Sequence, residues 1–175
     1  MKQSVETVHI IPLAQIDDFP DHPFRVKNDE GMEQLVRSIE MNGVLTPVVV
    51  RQKEGGRYEL ISGHRRKYAC GILGVTQIPV IVRGLSRDDA IIEMVDSNLQ
   101  REHILPSEKA KAYKMKMDAM KRQGKRTDLT STPVAGKLKE RETATIIGEA
   151  AGESGDQVRR YVRLNELTPE LLEFV

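Results

Sequence analysis

Apolar positions recur along the chain with two different periods, and the pattern changes character near residue 103. Residues 8–11 form a short β-prone run closed by Pro12. Over residues 29–42, Met32, Leu35, Val36 and Ile39 recur at i, i+3, i+4 and i+7. That is the spacing of a helix with one buried face, and Gly43 stands where a C-cap belongs. Residues 47–51 (PVVVR) and 58–61 (YELI) are β-prone runs divided by Lys53-Glu54-Gly55-Gly56, which is turn chemistry, so they predict a hairpin. Residues 63–73 carry Ala69, Ile72 and Leu73 at helical spacing and close at Gly74. Residues 78–82 return to a continuous apolar strand, and a helix is predicted over 87–98.

After His103 the strand signals stop. Pro106, Ser107 and Glu108 open a helix in the way a first-turn proline allows, and Ala110, Tyr113, Met117 and Met120 supply its apolar stripe, with Gly124 as its expected end. Residues 123–137 are polar, contain Pro133 and Gly136, and predict a connector. Two short helices are predicted over 143–151 and 154–165, with a third opening at Thr168-Pro169. The sequence stops at Val175 inside that pattern, as expected of a piece of a longer protein. The fold class that follows is α+β: a small mixed-sheet domain over residues 1–102, then an all-α domain over 103–175.

Composition bounds this picture. The 175 residues are 39% hydrophobic and 30% charged, enough for one ordinary core or two small ones. With no Trp, three Phe and four Tyr, the core must be built from Ile, Leu, Val, Met and Ala. Cys70 is the sole cysteine, which excludes an internal disulfide framework. The N-terminus lacks the basic start and apolar run of a signal peptide, and no stretch reaches the roughly 18 apolar residues of a membrane span. A cytoplasmic protein with no membrane partner is expected. The net charge is only +1, yet residues 109–141 hold eleven Lys or Arg against Asp118, Asp128 and Glu140. Such a block could steer a polyanion; the alternative is a solvated helix face followed by a basic loop.

The segment TIIGEAAGESGDQVRRYVRL has the parts of a helix-turn-helix: Gly148 where two helices cross, Gly152 in the turn, and Ile147, Ala151, Val158 and Tyr161 to dock one helix on the other. Ser154 is a suitable N-cap. With Val158, Tyr161 and Val162 inward, Gln157, Arg159, Arg160 and Arg163 face out. That face suits double-stranded DNA, because Gln pairs bidentately with adenine, Arg with guanine, and a further Arg holds phosphate. An ordinary helical hairpin with an arginine-rich face is the alternative.

A second candidate lies in ELISGHRRKYACGILG, where a strand passes through Ser62 and Gly63 into a helix that begins His64-Arg65-Arg66. Free N–H groups and the positive end of the helix dipole favour an anion there, and paired arginines add forked donors, so a triphosphate would suit it. Two flanking segments add polar groups. Gly43-Val44-Leu45-Thr46-Pro47 leaves backbone N–H groups and the Thr46 hydroxyl for a ligand, and the helix closing at 96–101 ends with Asn98, Gln100 and Arg101. Helix capping is the alternative for both, for Asn98 in particular.

In this order, and ahead of a helix-turn-helix, these segments resemble the ParB family of chromosome and plasmid partition proteins. The opening IIPLAQI, then GVLTPVVVR, then Gly63-His64-Arg65-Arg66 with Ala69, and finally Ser97-Asn98-Leu99-Gln100-Arg101 correspond to the family's motifs across nearly the whole chain. The resemblance implies a sulfiredoxin-like domain that binds CTP, with Mg2+ as a candidate companion, through Gly43, Thr46, Pro47, Gly63, His64, Arg65, Arg66, Asn98, Gln100 and Arg101. It also implies a homodimer whose nucleotide state closes a clamp around DNA at a centromere-like site, a partition ATPase as partner, and association with a nucleoid or plasmid. The family normally adds a C-terminal dimerisation domain, which is expected to lie outside this sequence.

Two positions depart from the family. Its motif acids are replaced by His64 and Ser97, neither of which is a good substitute for a hard anionic metal ligand. The expected enzyme is at most a slow CTP hydrolase, its metal ligands unassigned, with Asp96 and Glu102 as carboxylates that could compensate. Two other functions fit the same architecture. One is a small phosphoryl-transfer enzyme like sulfiredoxin or the free-serine kinases, although Gly63 stands where sulfiredoxin's catalytic cysteine would be and Cys70 reads as a core residue. The other is a transcriptional regulator or nucleoid-occlusion protein, which the sequence does not separate from a partition protein.

Overall fold

The computed structural model describes residues 6–100, 104–125, 133–167 and 171, the side chains of 124–125 and 133–139 excepted. It divides into two compact units, Met1–Leu85 and Ser86–Val175. The fold is mixed α+β, as expected, with all the strands of the described residues in the first unit.

The first unit is built on a five-stranded sheet. Its strands are β1 (Val8–Pro12), β2 (Ile16–Asp17), β3 (Val48–Gln52), β4 (Tyr58–Ser62) and β5 (Gln77–Arg83), in the order β1-β5-β3-β4-β2. β1 pairs antiparallel with β5 in the register Val8↔Ile81, β5 parallel with β3, β3 antiparallel with β4, and β4 parallel with β2. The expected hairpin turn carries Gly55 at φ +91° and Gly56 at φ +80°, backbone that a side chain would strain. Helix α1 (Glu30–Asn42) starts where the Asp29 carboxylate accepts from the Met32 N–H, and it stops at Gly43, φ +70°. Helix α2 (His64–Ile72) buries Ala69 and Cys70. These residues join Ile11, Ile16, Met32, Ile39, Val48, Val50, Leu60, Ile78 and Val80 in one core. Burial pushes the Cys70 thiol up from its usual value, so it is a packing group and not a ready nucleophile. Ile72, expected in the apolar stripe of α2, is half exposed.

The second unit packs α3 (Arg87–Leu99), α4 (Pro106–Lys125), α5 (Pro133–Ala151) and α6 (Gly155–Leu164) around Tyr113, Met117, Ala144, Ile147 and Val158. The first compact unit ends at Leu85, so α3 is grouped with the helices. The reason is side-chain pairing: Asp96 of α3 meets Lys116 of α4 at 2.5 Å, Asp88 meets Arg122 at 2.6 Å, and Asp89 accepts from Gln123 at 2.6 Å. Helix α5 also begins ten residues before the expected Thr143, absorbing part of the predicted connector. Pro133 is tolerated in its first turn, and Gly136 costs a helix only about 1 kcal/mol. Residues 123–125 of that connector continue α4, while residues 126–132 and the helix expected at Thr168-Pro169 lie outside the described residues.

Candidate nucleotide site and candidate DNA-reading helix

Gly63 sets the geometry of the β4–α2 junction. It caps α2 in the left-handed region, φ +102°, and supplies no side-chain cap. A Cβ there would stand 2.6 Å from Cγ1 of the fully buried Val48. The chain therefore turns tightly over β3, and the first N–H groups of α2 have no carbonyl behind them within the helix. The first intrahelical bond runs from Lys67 N–H to Gly63 O, 3.0 Å. An anion set against this end meets the N–H groups of the first turn and the positive end of the dipole.

The two arginines do more than present charge. Arg66 donates from one terminal nitrogen to the Thr46 and Pro47 carbonyls, at 2.5 and 2.7 Å, which fastens the GVLTP loop beside the α2 N-terminus. Its guanidinium is partly desolvated, which lowers its affinity for a proton, yet an arginine keeps its charge. Arg65 donates to Asp29 Oδ1 at 3.0 Å, the oxygen that also caps α1. Thr46, Pro47, Gly63 and Arg66 are thus drawn together at the junction, whereas Arg65 is turned to the start of α1 and Gly43 closes the other end of that helix. The ring of His64 is buried against His22, centroids 3.7 Å apart, and lines a cleft of about 610 Å³ with Phe24, Lys67 and Tyr68. Only its backbone belongs to the helix N-terminus.

In the second unit, Asn98 is buried and donates to the Met94 carbonyl at 2.7 Å, while the Ser97 hydroxyl donates to the same carbonyl at 3.0 Å. Both side chains serve the end of α3. Gln100 is the C-cap residue of that helix. Arg101 and Glu102 lie outside the described residues. Asp96, the other compensating carboxylate considered, is held by the buried Lys116. Among the described residues no three His, Cys, Asp or Glu side chains gather where a metal ion could sit.

Helices α5 and α6 meet through glycines on either side of their turn. A Cβ on Gly148 would lie 2.6 Å from Glu153 O, and one on Gly155 would lie 2.8 Å from Thr145 Oγ1, so the two helices touch backbone to backbone. Gly152 takes φ +70° in the turn. Sequence reading found Gly148 and Gly152 but missed Gly155, whose crowding depends on a residue in the other helix. Ser154 and Gln157 form a reciprocal capping box: Ser154 Oγ accepts from Gln157 N–H at 3.2 Å, and Gln157 Oε1 accepts from Ser154 N–H at 2.9 Å. Val158 is fully buried, worth roughly 1.5–3 kcal/mol, with Tyr161 and Val162 packed beside it. Gln157, Arg160 and Arg163 are exposed, and Arg159 pairs with Asp156.

The turn is anchored to α4. Glu153 accepts from Lys109 Nζ at 2.5 Å and from the Tyr113 hydroxyl at 2.9 Å. Burial and the neighbouring carboxylate drive the Tyr113 phenol far above its usual value. The basic stretch is less free than its composition suggests. Lys114 pairs with Asp118, Lys116 with Asp96, Lys121 with Glu140 and Arg122 with Asp88.

The five-stranded mixed sheet with its β4–α2 junction is an α+β domain of the ParB type. Residues 1–99 match the family model described as the ParB N-terminal domain, and the chain belongs to the ParB family. A nucleoid occlusion protein of Geobacillus sp. (strain WCH70) is 37% identical over 112 residues, 64% of this chain and 40% of the relative. The match thus spans less than half the length of that protein. The C-terminally truncated chromosome-partitioning protein ParB of Caulobacter crescentus, complexed with CTP-γ-S, is 26% identical with a TM-score of 0.50, covering 96% of this chain and 83% of that one. The same Caulobacter protein complexed to the centromeric parS site superposes with a TM-score of 0.56 at 24% identity, covering 95% and 76%, and shares the fold. Among the described residues no helix is long and apolar enough to cross a membrane.

Proposed function

We propose that this chain is a DNA-binding protein that reads a centromere-like site through α6 and is gated by CTP bound at the β4–α2 junction. The observation that carries the nucleotide half is that junction: a left-handed Gly63 with no room for a side chain, a helix N-terminus without a side-chain cap, and Arg66 fastening the GVLTP loop beside it. The Caulobacter relative that binds CTP-γ-S supports cytidine as the base. The DNA half rests on α6, whose capped first turn and arginines face outward while Val158 holds it to the unit.

The protein works as a homodimer bound to nucleoid or plasmid DNA, with a partition ATPase as partner. Its turnover of CTP is slow, because His64 is buried against His22 and Ser97 is bonded to the end of its own helix, leaving no carboxylate from either motif position to orient an attacking water. A nucleoid-occlusion role is the second reading, favoured by the curated relative of that name.

Calorimetry with CTP, ATP, GTP and UTP tests the nucleotide half. CTP binding that is tighter than that of the other three and is lost in Arg65→Ala/Arg66→Ala is expected. Equal or absent binding of CTP, or an unaffected double variant, refutes it.

A further inference from the structure

The polar face of α6 holds an acid as well as bases. Val158 is buried and Tyr161 and Val162 pack inward, which fixes the rotation of the helix. Residues 156, 160 and 163 then recur at i, i+4 and i+7 along the stripe opposite that buried face. Asp156 therefore stands on the outermost line of the helix, in its first turn, between the flanking Gln157 and Arg159. Its side chain is 74% exposed, and it pairs with Arg159.

We propose that Asp156 is a base-reading residue: its carboxylate accepts from the exocyclic amino group of a cytosine in the major groove and holds Arg159 for a neighbouring guanine. The inference rests on the reading of α6 as the DNA-contacting helix. A carboxylate on the line that enters the groove is repelled by phosphate. It is favourable only over a base edge that donates, and cytosine N4 is the donor that Asp and Glu accept from. The pair with Arg159 supplies the second half. An arginine tethered through one terminal nitrogen loses rotational freedom before it binds, and its remaining donors match guanine O6 and N7. Gln157 is the residue whose reach is reduced, since its Oε1 is committed to the Ser154 N–H.

A purely structural role for Asp156 exists, because an acid in the first turn complements the helix dipole. The two roles give opposite signs on non-specific DNA. If Asp156 only stabilises the helix, Asp156→Ala weakens binding to every sequence alike. If it reads a base, Asp156→Ala binds random DNA more tightly, having lost a repulsive charge, while discrimination at one base pair falls about 5- to 150-fold.

The experiment selects a preferred site for the 175-residue chain from a random duplex library. It then measures the parent, Asp156→Ala and Asp156→Asn against every single-base change in that site and against random DNA. Loss of discrimination confined to one C·G pair, with random-DNA affinity raised, is expected. Asp156→Asn should shift preference there toward adenine, which Asn pairs bidentately. A uniform loss, or unchanged preference in both variants, overturns the inference. Arg160→Ala and Arg163→Ala distinguish the levels of failure. If they weaken binding and the Asp156 variants do not alter preference, only this inference falls. If none of the four variants changes binding to either DNA, the reading of α6 falls with it.

Discussion

Replacing Gly63 with alanine tests the junction that carries the nucleotide reading. The residue sits at φ +102°, where an L side chain costs roughly 1–2 kcal/mol. The new Cβ would also stand 2.6 Å from Val48 Cγ1, within van der Waals contact of a side chain that has no exposed surface to move into. Overpacking of this kind costs about 1–3 kcal/mol. Gly63→Ala should therefore destabilise the sheet unit by about 2–5 kcal/mol. The clash belongs to one pair, so trimming its partner should recover part of the loss. In a double-mutant cycle with Val48→Ala the combined cost should fall short of the sum by roughly 0.5–3 kcal/mol. Hydrogen exchange of the β3 and β4 amides through a urea series reads this unit by itself. A loss below about 1 kcal/mol would show that neither the backbone strain nor the contact with Val48 shapes the turn, and additivity of the two substitutions within about 0.3–0.5 kcal/mol would remove the contact with Val48.

Three further outcomes follow from the helical unit. Glu153→Gln removes the charge shared with Lys109 while leaving an acceptor for Tyr113, and should lower the stability of the unit by about 1–3 kcal/mol without altering sheet protection; equal exchange rates in α4 and α6 would contradict it. Gly148→Ala drives a Cβ against the Glu153 and Ser154 backbone, which cannot rotate away, so about 1–3 kcal/mol of stability should be lost together with sequence-specific DNA binding. Retained specificity would show that the helices need not meet there. Lys114→Gln and Lys121→Gln should leave the salt dependence of DNA binding unchanged, because Asp118 and Glu140 already neutralise those lysines. A slope shallower by about one per substitution would place them on phosphates.

Much of the fold is legible in the sequence, because its elements are periodic or punctuated. Asp29 and Gly43 bracket α1, two glycines make the β3–β4 turn, and Ser154 opens α6. The two-residue β2 is too short to show any period, and the early start of α5 was hidden by a proline and a glycine that read as breakers. The grouping of α3 with the helices is illegible for a different reason. What ties α3 to α4 is a set of charged pairs between residues far apart in sequence, which no local pattern displays. The candidate sites show the same division. Gly63, Arg65 and Arg66 announce an anion-binding helix start, but only the structure shows Arg66 holding the Thr46 and Pro47 carbonyls and His64 lying against His22. On α6 the arginines drew attention from composition, whereas the central place of Asp156 emerges from the rotation that buried Val158 imposes.

Gating of DNA binding by CTP is tested most directly by reciprocal titration: CTP affinity measured with and without the selected DNA site, and DNA affinity measured with and without saturating CTP. Coupled binding changes both affinities by one common factor, expected between about 5- and 150-fold for an allosteric pair. Two affinities each indifferent to the other ligand would contradict gating, even if CTP and DNA both bind.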